Sequence, residues 1–343
     1  MDDARDGRRG LRPRLTPSLA DTVSREYGLS TGESIDLGGS ANLNLLVRGD
    51  GGTVVVRAYR RHVGPGRLSA IQRTRTHLAT QGIPCVRPIA TQEGLPYVQV
   101  EGHLVEVEPF VECDAKMDSL GRITAALPTL GRLHQALSGF APGPSGMDIE
   151  FANYVDPAGL LAATRRGTAR IRSWQPNPEE IAIADAADRL AEAVTGASQS
   201  LGEVPHQLTH GDFWDNNVGF RRGDLVLVAD FDFMGQRSRV DDLALTLYFT
   251  THLLDSPPTR SGLRRLAGLV DAYNSGLTDK LSGPERACIP VALACQPLWS
   301  IAGWVALLDD TAEARRHIVG HLPALQRGQA IVGDLPRVQD IFR

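Results

Sequence analysis

Between Ile289 and Leu308 the chain reads IPVALACQPLWSIAGWVALL, twenty residues without a charge. A helix of that length can cross a bilayer, and in a fold surrounded by water it has to be buried on nearly every side. Pro290, Gln296, Pro297 and Ser300 interrupt the run, Asp309 and Asp310 follow it directly, and no loop rich in Lys or Arg stands beside it to orient a span. It therefore predicts a buried core helix and no membrane partner. With 343 residues, 42% of them hydrophobic, the chain can enclose such a helix, and its length suits two lobes better than one.

The two lobes differ in pattern. Residues 1–15 are charged, lack an apolar core and predict a disordered tail rather than a signal peptide. Residues 16–107 read as β-rich, with TVVVRAY at 53–59 the clearest strand, its three β-branched valines preceded by the turn signal GDGG. A period of two puts Val55, Arg57 and Tyr59 on one face. Just before it, LGGSANLNLLV holds Gly38, Gly39 and Ser40, which suit either an ordinary hairpin or a turn whose backbone N–H groups face an anion. From residue 108 to 343 the spacing turns helical. LPTLGRLHQAL places Leu130, Leu133, His134 and Leu137 on one face, so His134 reads as a core histidine. In NPEEIAIADAADRLAEAVTG, Asn177 suits an N-cap, Pro178 the first turn and Glu180 the capping-box acid.

Charge and cysteines narrow the partners. Lys plus Arg number 36 and Asp plus Glu 40, so no broad positive field draws nucleic acid or an anionic membrane. Cys85, Cys113, Cys288 and Cys295 form neither a CxxC pair nor a zinc spacing, which predicts reduced thiols and a cytoplasmic location.

The chemistry gathers in HGDFWDNNVGF, residues 210–220, and LVLVADFDFMG, residues 225–235. Asp and Asn compete with the backbone for hydrogen bonds, so the first segment reads as a loop. Asn217 lies five residues after Asp212, and Asp230 ends the apolar strand that follows. An Asp can take a proton from an attacking hydroxyl, while an Asn carbonyl and an Asp carboxylate are hard ligands for Mg²⁺ on nucleotide phosphates. Taken singly, these residues are turn formers and surface acids. Their combined order, closed by DDLAL opening a helix, points to phosphoryl transfer. Two other classes use the same residues: a pseudokinase, which binds nucleotide without transfer, and a metal hydrolase built on His210, Asp212, Asp230 and Asp232, which lacks the several His ligands such sites need.

HGDFWDNN, VADFD and DDLA together resemble the aminoglycoside phosphotransferase superfamily, which includes choline kinase-like and homoserine kinase-like enzymes. The resemblance runs over nearly the whole chain. It implies an α+β, bilobal protein-kinase-like fold, with a small β-rich N-terminal lobe that binds nucleotide and a larger, mainly helical lobe for catalysis and substrate. It further implies Asp212 as catalytic base, Asn217 and Asp230 as Mg²⁺ ligands, Asp232 as an aid to metal or substrate, and His210 and Asp242 as braces of the loop. Gly39 and Ser40 fall in its phosphate-covering loop, Arg57 where relatives carry a phosphate-binding Lys, and Glu108 to Val111, with Phe110, where backbone groups meet adenine. The donor is then ATP or GTP. One departure stands out: residues 66–81 contain no acid to anchor Arg57, and Gln72 lies near the expected place. The implied acceptor is the hydroxyl of a cationic small molecule, an aminoglycoside-like or other amino-bearing antibiotic. Its alternative is a metabolic amino alcohol or amino acid of homoserine or choline type. Asp241, Asp255, Asp271, Trp299, Trp304, Asp309 and Asp310 are candidate walls for it.

Overall fold

Three adjacent valines make β3 (Gly52–Ala58), and the strands that pair with it follow from the same alternation of inward and outward side chains. The computed structural model describes residues 12–29, 34–39, 42–49, 52–61, 63–143, 153–253 and 259–343. Around β3, antiparallel strands β1 (Ser34–Asp36), β2 (Leu43–Gly49), β4 (Val98–Val100) and β5 (His103–Pro109) complete a sheet of order β1-β2-β3-β5-β4. One face carries Leu43, Leu45, Val47, Val54, Val56, Val105 and Val107, and buries them with Leu19 and Val23 of α1 (Pro17–Tyr27). Each such side chain contributes about 1.5–3 kcal/mol by leaving water. On the other face Arg57 stands in register with Glu106 and Val55 with Glu108. Helix α2 (Pro65–Thr80) brings the buried Gln72 and Arg75 to those acids.

Arg12, placed by its sequence in a disordered tail, instead forms part of this unit. Its guanidinium bonds the Asp36 carboxylate, the Gly38 carbonyl at 3.2 Å and the Asn42 carbonyl at 2.8 Å. Asp36 is held at about 2, below the usual carboxylate range, chiefly by that guanidinium.

The contact pattern ends the first compact unit at Cys113, beyond the 107/108 boundary expected from sequence, and adds Pro142, Gly143 and Val226–Ala229 to it. The reason is pairing. β5 stays in the ladder with β3 through Pro109, the Val228 amide donates to the Pro84 carbonyl, and Arg73 donates to the Pro142 carbonyl.

The second unit is mainly helical. Helix α3 (Leu120–Leu137) starts well before the expected segment, because Ser119 caps it and Pro128 is carried inside it. His134 on this helix is fully buried. Helices α4 (Leu160–Ser173) and α5 (Pro178–Ser198) follow, and α5 opens on the expected capping box: Asn177 accepts from the Glu180 amide, and Glu180 from that of Asn177. β6 (Ala115–Lys116) pairs with β8 (Val218–Arg221), β9 (Asp224–Val228) follows, and β7 (His206–Thr209) pairs antiparallel with β10 (Gly235–Ser238). Helices α6 (Arg239–Leu253) and α7 (Arg260–Ser275) come next.

The uncharged run then appears as α8 (Gly283–Cys295), a 3₁₀ turn at Gln296–Leu298 and a π-helical turn at Ser300–Val305. By length and composition Gly283–Val305 is long and apolar enough to cross a membrane, but 78% of its apolar window is buried within the protein. Gly167 of α4 shows how tightly: a Cβ there would lie 2.2 Å from the Ile301 carbonyl oxygen. Burial of this kind is what a core helix requires.

Candidate active site

β7 delivers the chain into His210, Gly211 and Asp212, and three constraints fix the turn that follows. Gly211 has φ 79°, and a Cβ on it would fall 2.1 Å from the Phe233 carbonyl oxygen, so only glycine fits. The fully buried Asp242, in the first turn of α6, accepts the backbone N–H groups of His210 and Gly211, each at 3.0 Å. It also accepts from His134 Nε2 at 2.9 Å, while His134 Nδ1 meets the Tyr273 hydroxyl at 2.7 Å. His210 is buried against Phe213 and Phe231, and its Nδ1 accepts the Asp212 amide at 3.2 Å. The loop is thus braced from beneath by residues that expose nothing to a ligand.

Asp212 occupies the end of this brace. Asn153 Nδ2 donates to its Oδ1 at 2.7 Å, and Asn217 Nδ2 donates to its Oδ2 at 2.8 Å and to its backbone carbonyl at 2.9 Å. Burial pushes the Asp212 carboxyl well above its ordinary pKa, and the negative charge of Asp230 adds to the rise, while Asn217 and Trp214 oppose it. A carboxylate only accepts hydrogen bonds, so Asn217 presents N–H to Asp212 and turns its own carbonyl oxygen elsewhere. Asp230 holds φ 63°, a left-handed conformation that costs a non-glycine residue about 1–2 kcal/mol. The Asn217 carbonyl and the carboxylates of Asp230 and Asp232 are hard oxygen donors of the kind Mg²⁺ takes, and a divalent cation beside them would relieve the repulsion between Asp212 and Asp230. Among the described residues, no three His, Cys, Asp or Glu side chains gather as a metal cage.

The first unit answers the question of the missing helix acid. The charges are exchanged: α2 supplies Arg75, and β5 supplies Glu106 and Glu108. Arg75 bonds Glu106 and Glu108 at 2.7 Å each, and Glu108 also lies 3.7 Å from Arg57. Glu106, without exposure, is further bonded by the Tyr59 hydroxyl at 2.6 Å and by Gln72 at 2.8 Å. Its carboxyl is held below the ordinary range; burial opposes this, and Arg75 leads the groups that favour its charge. Glu108 is therefore an acid beside Arg57, with Glu106 opposite that arginine in the ladder. The Phe110 amide donates to the Thr53 carbonyl at 3.1 Å, and its ring is 37% exposed. By the alternation of an antiparallel ladder, the Pro109 carbonyl and the Val111 amide point away from β3. Gly38 and Gly39 take φ 83° and 110°, and the Gly38 amide donates to Asp36; Ser40 lies outside the described residues.

The candidate acceptor walls divide. Trp299 joins a row of partly buried rings, 6.5 Å from Phe249, which is 4.8 Å from Trp214; Trp304 stacks on His317 at 4.9 Å and meets Phe233 at 6.3 Å. Among the described residues, two of the candidate acids are engaged elsewhere. Asp271 pairs with Arg286, Asp310 caps α9 (Thr311–Arg316), the Asp309 carbonyl accepts from Arg170, and Asp255 lies outside the described residues. Burial pushes Asp241, near Arg237 and His206, up to about 6.

Sequence reasoning missed Asn153, Arg75, Glu106 and Arg237. Arg237 is 1% exposed, donates to the Phe233 carbonyl and lies 4.7 Å over the Tyr154 ring. Only the polar run GQRSRVDD hinted at it.

With this geometry in hand, the chain can be set beside known proteins. The sequence pattern of the APH phosphotransferase enzyme family matches residues 34–278. The homoserine kinase of Bradyrhizobium diazoefficiens is 25% identical over 278 residues, 80% of this chain and 79% of that one. Two solved structures share the fold. An aminopropanol kinase associated with a microcompartment has a TM-score of 0.67 at 17% identity, covering 94% of this chain and 100% of its own. The amicoumacin kinase in complex with AMP-PNP, Ca²⁺ and Ami has a TM-score of 0.66 at 14% identity, covering 90% of this chain and 92% of its own.

Proposed function

Because the chain belongs to the phosphotransferase enzyme family, as an enzyme acting on hydroxyl groups, we propose that it moves the γ-phosphoryl group of Mg·ATP to a small amine-bearing alcohol. The observation that carries the reading is Asp212, a buried carboxylate with both oxygens held by asparagine amides on a loop that Asp242 braces. A base so fixed meets the acceptor hydroxyl in one orientation.

In this reading the acceptor O–H gives its proton to Asp212 as its oxygen bonds to the γ-phosphorus; the bond from that phosphorus to the β,γ-bridging oxygen breaks, and ADP leaves. Asn217 and Asp230 would hold Mg²⁺, which would supply positive charge against the phosphates. Arg57, kept in place by Glu108, and the Gly38–Gly39 turn bind phosphate oxygens. The Pro109 carbonyl and the Val111 amide take the adenine edge.

The acceptor is of the metabolic amino alcohol or amino acid kind. Two observations support this over the antibiotic acceptor expected from sequence. Asp271 and Asp310, two of the candidate acids for a polycation, are already engaged, and the relatives compared by sequence are named homoserine kinases. A second reading, an amino-bearing antibiotic, draws on the fold shared with the amicoumacin kinase. Phosphate transfer from Mg·ATP to L-homoserine, 1-amino-2-propanol, choline and kanamycin separates the two.

A further inference from the structure

Asn153 touches the proposed base from a segment that no motif marks. Its amide nitrogen lies 2.7 Å from Asp212 Oδ1, and the residue is 8% exposed. In its ionised form, the form a base needs, Asp212 only accepts, so the Asn153 amide presents its N–H, and its carbonyl oxygen, on the same planar group, faces the other way. Among the described residues that carbonyl receives no hydrogen bond, and it is not among the buried polar atoms without a partner. An open acceptor-only oxygen therefore stands on the same amide that holds Asp212 Oδ1.

We infer that Asn153 selects the acceptor: its carbonyl receives a hydrogen bond from an ammonium or second hydroxyl close to the reacting hydroxyl, while its N–H holds Asp212 in line. This rests on Asp212 being the base, as proposed above. The substrates that fit are alcohols with an N–H or O–H donor within a few bonds of the reacting oxygen. A quaternary ammonium such as choline has no donor to offer, and a plain alcohol leaves the Asn153 oxygen unmatched. An enzyme group that loses its hydrogen-bond partner in a desolvated site discriminates strongly against the deficient substrate. Aromatic faces such as those of Trp214, Phe249 and Trp299 attract either kind of cation and would not make this distinction, which leaves it to Asn153.

The test compares wild type, Asn153→Ala, Asn153→Asp and Asp212→Asn on L-homoserine, 1-amino-2-propanol and kanamycin. The first two are also run as their N-trimethyl analogues, and nucleotide affinity is followed with a fluorescent ATP analogue. Wild type should prefer the free amine over its trimethyl analogue by about 10- to 100-fold in kcat/KM. Asn153→Ala should reduce that ratio to within about threefold, lower kcat and leave nucleotide affinity unchanged. Asn153→Asp keeps an oxygen for the ammonium but loses the N–H, so KM for the amine should hold while kcat falls. A preference that survives Asn153→Ala, with Asp212→Asn inactive, overturns the inference alone. Transfer that is equal for amine and trimethyl analogue in wild type also overturns it. No transfer from wild type to any acceptor overturns the proposed function and this inference with it.

Discussion

Replacing Asp242 by alanine should cost the protein both stability and turnover, though Asp242 touches no substrate. The carboxylate accepts the His210 and Gly211 amides at 3.0 Å each and His134 Nε2 at 2.9 Å, with no exposure to water. Bonds to a charged group are worth about 1.5–3 kcal/mol each, but they do not add fully, because a relaxed loop recovers part of the loss. Leaving three buried donors without their acceptor costs about 1–3 kcal/mol each before relaxation, so about 3–5 kcal/mol is the range expected for Asp242→Ala. Asn keeps one acceptor oxygen, so Asp242→Asn should lose about half as much. The sign with pH follows from the charge. The Asp242 carboxyl is held below its ordinary value; burial opposes this, and the His134 hydrogen bond leads the groups that favour its ionised form. Its stabilisation is therefore complete above about pH 4 and is lost as pH falls through the lower folded value. Urea unfolding gives the energies, and amide hydrogen exchange at His210 and Gly211 reports the loop. Asp242→Ala within about 1 kcal/mol of wild type, with exchange at those amides unchanged, would refute the bracing argument.

Other substitutions probe separate parts of the account. Glu108→Gln removes a charge beside Arg57 and should weaken binding of a fluorescent ATP analogue by about tenfold, while acceptor KM stays near wild type. Gly211→Ala must relieve a 2.1 Å contact with the Phe233 carbonyl at φ 79°, so transfer should fall by at least about 10²-fold with the far-ultraviolet circular dichroism preserved. Asp241, which burial pushes up to about 6, is costly to ionise in the folded protein. The penalty is absent below about pH 4 and complete above about 6, so Asp241→Asn should gain more thermal stability over wild type at pH 8 than at pH 5.

What could be seen in the sequence was local or followed a known order. The Asn177 and Glu180 capping box needs only residues three apart, and it formed as expected. The valines of β3 and the charge-free run at 289–308 carry their burial in their composition. Other features depend on distant partners. Arg75 meets Glu106 and Glu108 from 31 and 33 residues away, so residues 66–81 looked merely short of an acid, although the acids stand on β5. Asn153 reaches Asp212 across 59 residues. Helix α3 begins ahead of the apolar face in LPTLGRLHQAL, because Ser119 caps it and Pro128, a residue that usually ends a helix, is carried inside it. The acids proposed as acceptor walls were legible as charges only, and capping or ion pairing claimed Asp310 and Asp271.

The central claim is that Asp212 takes the proton of the acceptor hydroxyl. Phosphate transfer from Mg·ATP to L-homoserine, 1-amino-2-propanol and kanamycin, wild type beside Asp212→Asn, tests it most directly. General-base catalysis contributes about 10²–10⁴-fold, so the variant should lose at least that much kcat while still binding nucleotide. Transfer by Asp212→Asn at the wild-type rate would contradict the account and place the base elsewhere.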